Sequence, residues 1–150
     1  MNLSKNFTLE TLTRTDVRAM VQKNIDAAAN DPKIKASLTR VASELLEPIQ
    51  ALFKKPLSVH SGYRCKDLNS AIGGSATSQH CVGEAADFII PGYETQEKQI
   101  DAIRQIVTKL PKLQFGQLLS EYGCMHISLG TKKEMAYYVV ATKTKTPIVL

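Results

Sequence analysis

The sequence predicts an α+β fold in which helices come first and a mostly antiparallel sheet follows. Segments with apolar residues at helical spacing occupy the first third of the 150 residues. Short apolar or alternating segments, bounded by Gly and Pro, follow and are interspersed with further helical patterns. Because this order is typical of α+β proteins, we expect a single domain with a helical part at about 7–54 and a sheet at about 56–150.

The first helices are predicted from their start signals. Thr8 is expected to cap a short helix, although no full capping box follows it. Thr15 and Asp16 are expected to cap a second helix that runs through Val21. Pro32 follows a turn and marks the start of a third helix.

The strongest helical pattern runs from Ile34 to Phe53. Its apolar residues recur at intervals of three and four, at Leu38, Val41, Leu45, Ile49 and Leu52. We expect this stripe to face the core. Pro48 lies inside the pattern and lacks a backbone N–H, so it is expected to kink or divide the helix.

Strands and two more helices are predicted after this segment. The strands are expected at 56–61, 87–90, 115–121, 124–129, 136–141 and 147–150. One helix runs through Leu68 and Ile72 and ends at Gly73. The other begins after Thr95, which can cap it, and stops before Pro111. A turn is expected at 132–135.

Composition and patterning argue against several classes of protein. No apolar run reaches the roughly 18 residues of a membrane span. The segment from Met1 to Thr8 lacks the apolar region of a signal peptide. The three cysteines, Cys65, Cys81 and Cys124, lie far apart in the chain. Their odd count argues against a disulfide framework and favours synthesis in a reducing cytoplasm.

The net charge of +5 favours an anionic partner, such as nucleic acid, an anionic membrane or an anionic cell wall. Solubility alone would explain the charge equally well. The lysines cluster at Lys54–Lys55, Lys132–Lys133 and Lys143–Lys145. No arginine-rich run or basic stripe with interleaved aromatic residues accompanies them, so we expect no nucleic-acid partner.

The segment from Ser78 to Asp87 is the strongest candidate for a functional site. It carries His80, one of only three histidines, on a predicted turn, and Asp87 at the start of an apolar strand. A carboxylate in that position is costly to bury unless something pairs with it. A metal ion bound by Asp87 and His80 would fulfil that role.

His126, on another predicted strand, offers a third ligand. Two histidines, one carboxylate and an open position form a common arrangement for catalytic zinc. The alternative is a hydrogen-bonded core histidine beside an ordinary buried aspartate. His60 has no support as a ligand beyond its residue type. Cys81 and Cys124 flank the candidate ligands and are expected to be small buried residues rather than soft ligands.

These residues belong to a larger set of motifs. The set comprises Ser61-Gly62-Tyr63-Arg64, Leu68-Asn69, Gly73-Gly74-Ser75, Ser78-Gln79-His80, Gly83, Ala85-Ala86-Asp87 and His126-Ile127-Ser128. It resembles the zinc D,D-peptidase family, peptidase family M15, and within it the small phage and prophage members. The resemblance extends from about Phe7 to Leu129. It implies a hedgehog/D,D-peptidase-like fold, with an antiparallel sheet flanked by helices and zinc in a cleft.

The resemblance also implies roles for individual residues. His80, Asp87 and His126 would bind Zn²⁺. Arg64 would bind a substrate carboxylate or the oxyanion, and Glu121 would be the general base.

Further expectations concern other residues in and beside the motifs. Glu84 is a second candidate base, although we expect it on an exposed turn. Ser78 and Tyr63 are expected to contribute to substrate binding beside Arg64. Ser78 is expected to do so by hydrogen-bonding locally or by supporting the site, and not as a nucleophile. Cys124 and Met125 stand where many members of the family carry a tryptophan. The resemblance therefore does not imply which residues form this wall of the substrate pocket.

The function implied is zinc-dependent hydrolysis of an amide bond in the peptidoglycan peptide stem. The enzyme would be a D-Ala-D-Ala carboxypeptidase or an L-Ala-D-Glu endopeptidase, and we expect a monomeric phage or prophage lysin. Without a signal peptide it would accumulate in the cytoplasm and act on the wall after release. Two alternatives remain: a non-catalytic zinc-binding module, as in the related hedgehog signalling domain, and a virion-associated wall-binding component.

Overall fold

The computed structural model describes residues 1–141 and 144–150, so Lys143 of the third lysine cluster lies outside the described residues. The α-helices are α1 Leu9–Leu12, α2 Val21–Ala29, α3 Pro32–Arg40, α4 Glu47–Phe53, α5 Lys66–Ala71 and α6 Gln96–Lys109. The strands are β1 Ser58–Ser61, β2 Ala85–Ile89, β3 Gln117–Glu121, β4 Cys124–Ser128, β5 Ala136–Ala141 and β6 Thr144–Pro147. None of the helices in these ranges is long and apolar enough to cross a bilayer.

The strands form one six-stranded sheet in the order β1, β2, β4, β3, β5, β6. Neighbouring strands are antiparallel except for β3 and β5, which run parallel. The predicted α+β class with a mostly antiparallel sheet is therefore confirmed. Tyr122 and Gly123 join β3 to β4, with φ angles of 49° and 81°. Tight two-residue hairpin turns need this left-handed backbone because it follows the twist of the strands.

Two of the first three helix starts are as predicted. The Thr8 hydroxyl accepts a hydrogen bond of 3.1 Å from the Thr11 N–H and caps α1. Helix α3 begins at Pro32. The predicted start of the second helix is wrong, because the Thr15 hydroxyl accepts from the Val17 N–H in a local turn. A 3₁₀ turn at Arg18–Met20 follows, and α2 begins only after it.

The long pattern from Ile34 to Phe53 is divided, as expected from its proline. A π-helical segment, Val41–Leu46, separates α3 from α4, and Pro48 is the second residue of α4. Pro48 donates no hydrogen bond and its ring crowds the carbonyl one turn earlier, and a wider turn at that point relieves both. The stripe does face the core, where Leu38, Leu45 and other members are fully buried.

Alternation along the central strands separates a core face from a cleft face. Phe88, Leu118, Met125 and Ile127 are fully buried and join one hydrophobic cluster with the helices. Their neighbours in sequence point to the opposite side of the sheet. That opposite face carries the candidate site residues of β2, β3 and β4.

The later elements agree with the sequence except at the end of the chain. Thr95 caps α6 by accepting from the Lys98 N–H, and Gly73 follows α5 with a φ of 73°. The turn at 132–135 contains a 3₁₀ segment, Lys132–Glu134. The strand predicted at 147–150 is wrong, because β6 ends at Pro147. All four β6 residues are exposed, so an edge strand such as this one lacks the apolar pattern that identifies buried strands.

Candidate metal centre

A cleft of about 780 Å³ opens over the sheet face that carries Asp87 and His126. Strands β2, β3 and β4 supply the floor, and the segment from Ser75 to His80 supplies one wall. Arg64 reaches the cleft from the loop after β1, and Lys145 reaches it from β6. The cleft therefore gathers residues from both edges of the sheet around its centre.

Two candidate ligands are placed by strand register. Asp87 on β2 lies directly opposite His126 on β4. Oδ1 of Asp87 is 2.8 Å from Nδ1 of His126. Since paired residues of neighbouring strands share a face, the sheet itself brings these two side chains together.

The third candidate, His80, is placed by a short 3₁₀ turn, Gln79–Val82. Ser78 caps this turn, its hydroxyl accepting a 3.2 Å hydrogen bond from the His80 N–H. Gly83 closes the turn with a φ of 70°, which side chains rarely tolerate. As a result Nε2 of His80 lies 3.3 Å from the same Asp87 oxygen.

The orientation of the His80 ring is fixed by a backbone carbonyl. Its Nδ1 lies 2.6 Å from the Gly62 oxygen. A carbonyl oxygen only accepts, so Nδ1 donates its proton there and Nε2 is the ring nitrogen that faces Asp87. A Cβ at Gly62 would overlap the Leu12 carbonyl oxygen, which accepts from the Tyr63 N–H at 2.8 Å. Glycine at this position therefore lets the loop pack on α1 and orient His80.

Residues His80, Asp87 and His126 could hold a metal ion. One ligand atom from each lies within 4.8 Å of the others. The His80 side chain is 5% exposed, that of His126 13% and that of Asp87 28%, so the group is sheltered yet reachable from the cleft. Two imidazole nitrogens and one carboxylate oxygen suit Zn²⁺ and leave room for a further ligand. The donor set therefore fits the metal that the sequence motifs imply.

The surroundings of Asp87 determine the charge of this candidate ligand. Burial raises the pKa of the Asp87 carboxyl, but hydrogen bonds and charge from His126 and His80 outweigh it. The pKa therefore lies well below its usual range. Asp87 stays ionised, which a metal ligand requires.

The thiol beside the site is a different case. Burial, followed by the negative charge of Asp87, raises the pKa of Cys124 to about 12. Its Sγ donates to the Phe88 carbonyl oxygen at 3.4 Å. Neither Cys124 nor Cys81 belongs to the metal-binding group found among the described residues. Both thiols are half-buried, so the expectation of fully buried cysteines is not met.

Arg64 lies on the cleft wall beside Ser78. Its Nη2 donates to the Ser78 hydroxyl at 3.0 Å, and its backbone N–H donates to the His80 carbonyl oxygen at 3.0 Å. Among the described residues, its buried Nε has no hydrogen-bond partner. The guanidinium is thus anchored at one nitrogen next to the candidate ligands.

Of the two candidate bases, Glu121 lines the cleft. It ends β3, opposite Cys124, and shares a sheet face with His126 two residues along β4. Glu84 is instead tied by its backbone to Gln79 and Leu129, and it is not among the described residues that line the cleft. Of these two carboxylates, the structure places Glu121 in the cleft that holds the candidate metal ligands.

Two residues considered from the sequence lie elsewhere. His60 is exposed and its Nε2 is 3.4 Å from the Ser58 hydroxyl, so it is not part of the metal-binding group. Tyr63, expected to contribute to substrate binding, is 8% exposed and packs in the hydrophobic core. Burial raises the pKa of its hydroxyl. Its placement beside α1 gives no support to that role.

Three contributions to the site were not predicted from the sequence. Gln79 places Oε1 3.4 Å from Nε2 of His126, and its position inside the Ser78–His80 motif was a usable signal. The carbonyl of Gly62 orients His80, but a backbone role leaves no trace in residue type. Lys145 lies far along the chain on a strand that was not predicted.

A comparison with known families identifies the family to which the chain belongs. Residues 5–127 match the family model for Peptidase M15. No curated protein matches the chain. The matched part contains the three candidate ligands together with Arg64 and Glu121, and it ends before β5. Family membership indicates a metallopeptidase that depends on zinc and acts on peptidoglycan. The chain therefore belongs to peptidase family M15.

Proposed function

We propose that this protein hydrolyses an amide bond in the peptide stem of peptidoglycan, with zinc held by His80, Asp87 and His126. One observation carries the proposal. Nε2 of His80 and Nδ1 of His126 converge on Oδ1 of Asp87, at 3.3 and 2.8 Å, in a cleft that also holds Glu121 and Arg64. A metal-binding group beside a carboxylate and a guanidinium supplies the catalytic groups that a metal-dependent hydrolase needs.

A metal bound by the three ligands would activate water, and neighbouring groups orient two of these ligands. A zinc ion at this site would lower the pKa of a bound water from 15.7 to about 7 and polarise the substrate carbonyl. The Gly62 carbonyl holds the His80 ring so that Nε2 faces the site. Gln79 and Asp87 flank the His126 ring on its two nitrogens and restrict its rotation.

Glu121 is the proposed general base. Its carboxylate accepts a proton from the attacking water and delivers it to the nitrogen of the leaving amine. A positioned carboxylate of this kind typically contributes about 10²–10⁴-fold to the rate. The place of Glu121 at the end of β3, on the cleft face, supports this role.

Arg64 is the proposed electrophilic and binding group. The planar guanidinium can donate two parallel N–H bonds to a substrate carboxylate, or one to the carbonyl oxygen as negative charge develops there. Ser78 accepts from Nη2 and thereby fixes the orientation of the group. Ser78 thus serves the substrate site through Arg64 and also caps the turn that carries His80.

The finer function that we propose is that of a phage or prophage lysin. The net charge of +5 suits an anionic cell wall. The scissile bond is D-Ala-D-Ala in the carboxypeptidase alternative and L-Ala-D-Glu in the endopeptidase alternative. Both reactions use the same zinc ligands, base and guanidinium, so product analysis has to choose between them.

The experiment is mass spectrometry of purified peptidoglycan fragments after incubation with the protein. Samples stripped of metal and samples restored with zinc are compared. We expect cleavage only with zinc, and the product masses name the bond. Loss of a terminal alanine identifies a carboxypeptidase, and a freed peptide that starts at D-Glu identifies an endopeptidase. If zinc is bound and no fragment is cleaved, the protein is a binding module of the same fold instead.

A further inference from the structure

We propose that Lys145 forms a second anion-binding subsite, in addition to Arg64. This subsite binds a carboxylate of the peptide stem that lies several residues from the scissile bond. The inference rests on the proposed peptidase function and extends it to substrate selection. Lys145 lies on β6, beyond the segment 5–127 that matches the family. The subsite is therefore a property of the C-terminal hairpin of this chain rather than of the shared zinc apparatus.

Strand register places Lys145 on the cleft face. Cys124 pairs with Glu121, Glu121 with Val140, and Val140 with Lys145. Residues that pair across neighbouring strands project from the same face of a sheet. The lysine and the proposed base therefore stand in one cross-strand row, and Lys145 lines the cleft.

The ammonium group is held over this face by an aromatic ring. Nζ of Lys145 lies 5.3 Å from the centroid of the Tyr138 ring, within the range of a cation–π contact. Tyr138 pairs with Leu119, and Leu119 pairs with His126, so the ring belongs to the row that contains a candidate metal ligand. This contact keeps the ammonium group on the cleft face of the sheet.

The charge of Lys145 is available to a ligand. None of the ion pairs in the described part of the chain involves this lysine. Arg64 approaches the cleft from the opposite edge of the sheet, next to β1. Two cations thus flank the candidate metal centre from its two sides. An ammonium acts as a point charge, and a carboxylate is the matching group on an acidic peptide.

The spacing fits a peptide of stem length. Neighbouring strands lie about 4.8 Å apart, so the backbone of β6 is about 14 Å from that of β4. An extended peptide advances about 3.3–3.6 Å per residue, so about four residues cover that distance. A stem with its scissile bond at the metal would then place a remote carboxylate near Lys145. The group that qualifies depends on the bond that is cut. For the D-Ala-D-Ala bond it is the free α-carboxylate of D-Glu, and for the L-Ala-D-Glu bond it is the C-terminal carboxylate.

The test compares binding of three synthetic stem pentapeptides, L-Ala-D-Glu-L-Lys-D-Ala-D-Ala. The first carries both carboxylates, the second has the D-Glu carboxylate amidated, and the third has an amidated C-terminus. Dissociation constants are measured by calorimetry with zinc-loaded Glu121→Gln protein, in which turnover is expected to be slower by about 10²–10⁴-fold. Lys145→Met is added to this background, and Lys133→Met, which removes an exposed lysine outside the cleft, is the matched control.

We expect Lys145→Met to weaken binding of the first peptide by about two- to fivefold, the range of an exposed ion pair. One of the two amidated peptides lacks the carboxylate that Lys145 binds, and Lys145→Met should leave the binding of that peptide unchanged. The carboxylate that is amidated in that peptide is then the group that Lys145 recognises. Lys133→Met should have no effect. Equal weakening for all three peptides, or no weakening, would overturn the inference.

The failure of the inference is distinguishable from failure of the proposed function. Zinc-dependent cleavage by the otherwise unaltered protein, with no dependence of peptide binding on Lys145, overturns the subsite alone. If peptide binding depends on Lys145 but the unaltered protein cleaves no peptide, the subsite is supported and the proposed peptidase function is overturned. Zinc content, measured for each variant, shows whether the site is intact.

Discussion

Asp87 and His126 face each other on neighbouring antiparallel strands, with 2.8 Å between Oδ1 and Nδ1. The hydrogen-bonded ladder between β2 and β4 fixes this pair. His80 joins it from a turn held by the Gly62 carbonyl. A site assembled by rigid elements before the metal arrives loses little conformational entropy on binding, which favours tight binding.

The first prediction concerns the metal ligands. Replacement of His80, Asp87 or His126 by alanine should abolish stoichiometric zinc binding, because two remaining protein ligands do not complete the site. Zinc content after dialysis, measured by atomic emission, gives the result. His60→Ala is the matched control and should retain zinc, since His60 lies outside the group. A His60 variant that lost its zinc would contradict the assignment.

The second prediction separates the two candidate bases. Glu121→Gln should lower the rate of stem cleavage by about 10²–10⁴-fold while zinc binding remains, because the amide cannot accept the proton of the water. Glu84→Gln is the control and should leave the rate nearly unchanged. Rates are measured from product formation at saturating peptide. Full activity of Glu121→Gln would show that another group takes the proton.

The structure confirms the fold class because local signals in this chain agree with its tertiary packing. Pro48 predicted the break in the long helix, and Thr95 predicted the start of α6. The strand predicted in the wrong place was the last one, β6, whose four residues are all exposed. An exposed edge strand is defined by its pairing with β5, and pairing is not visible in the pattern of a single segment.

The site could be predicted in part for a similar reason. His80, Asp87 and His126 stand out because histidines are few and a carboxylate beside an apolar strand needs a partner. The carbonyl of Gly62 and the place of Lys145 depend on backbone approach and on strand register. Such features arise only when distant parts of the chain pack together.

The third prediction concerns stability and pH in the metal-free protein. The pKa of Asp87 lies well below its usual range: burial raises it, but bonds from His126 and His80 lower it more. The resulting stability is present above the unfolded pKa of about 3.9 and is lost as the pH falls toward the lower folded value. The melting temperature of metal-stripped protein should therefore fall below about pH 4.

Asp87→Asn provides the comparison for this titration. Its amide has no proton to gain in this range, so its melting temperature should fall less steeply with acid. Calorimetry from pH 6 to pH 2.5 measures both curves. Parallel curves would show that Asp87 does not contribute to the acid sensitivity.

The fourth prediction concerns Ser78, whose hydroxyl accepts both from the Arg64 guanidinium and from the His80 N–H. Ser78→Ala removes the one oxygen that accepts both hydrogen bonds. The loss of the cap should lower the free energy of unfolding by about 1 kcal/mol. The release of Arg64 should raise KM for the stem peptide, and Ser78→Thr should restore part of both. An unchanged KM with lowered stability would limit Ser78 to the cap.

The last prediction concerns a buried hydrogen-bond network behind the proposed base. Gln99 on α6 is fully buried. Its Nε2 donates to the carbonyl oxygens of Gly123, at 3.0 Å, and Tyr93, at 3.2 Å. Its Oε1 accepts from the Ser120 hydroxyl at 2.7 Å. The network thus ties both sides of Glu121 to the helix.

Gln99→Leu keeps nearly the same volume but removes the partner of the buried Ser120 hydroxyl and of two part-buried carbonyl oxygens. Each buried group that finds no new partner costs about 1–3 kcal/mol. We expect a lower free energy of unfolding in urea and a lower kcat, with zinc content unchanged, because the turn that follows Glu121 is no longer held. Lys98→Ala, an exposed change one residue earlier on α6, should alter neither quantity. A destabilised variant with unchanged kcat would mean that β3 alone positions Glu121.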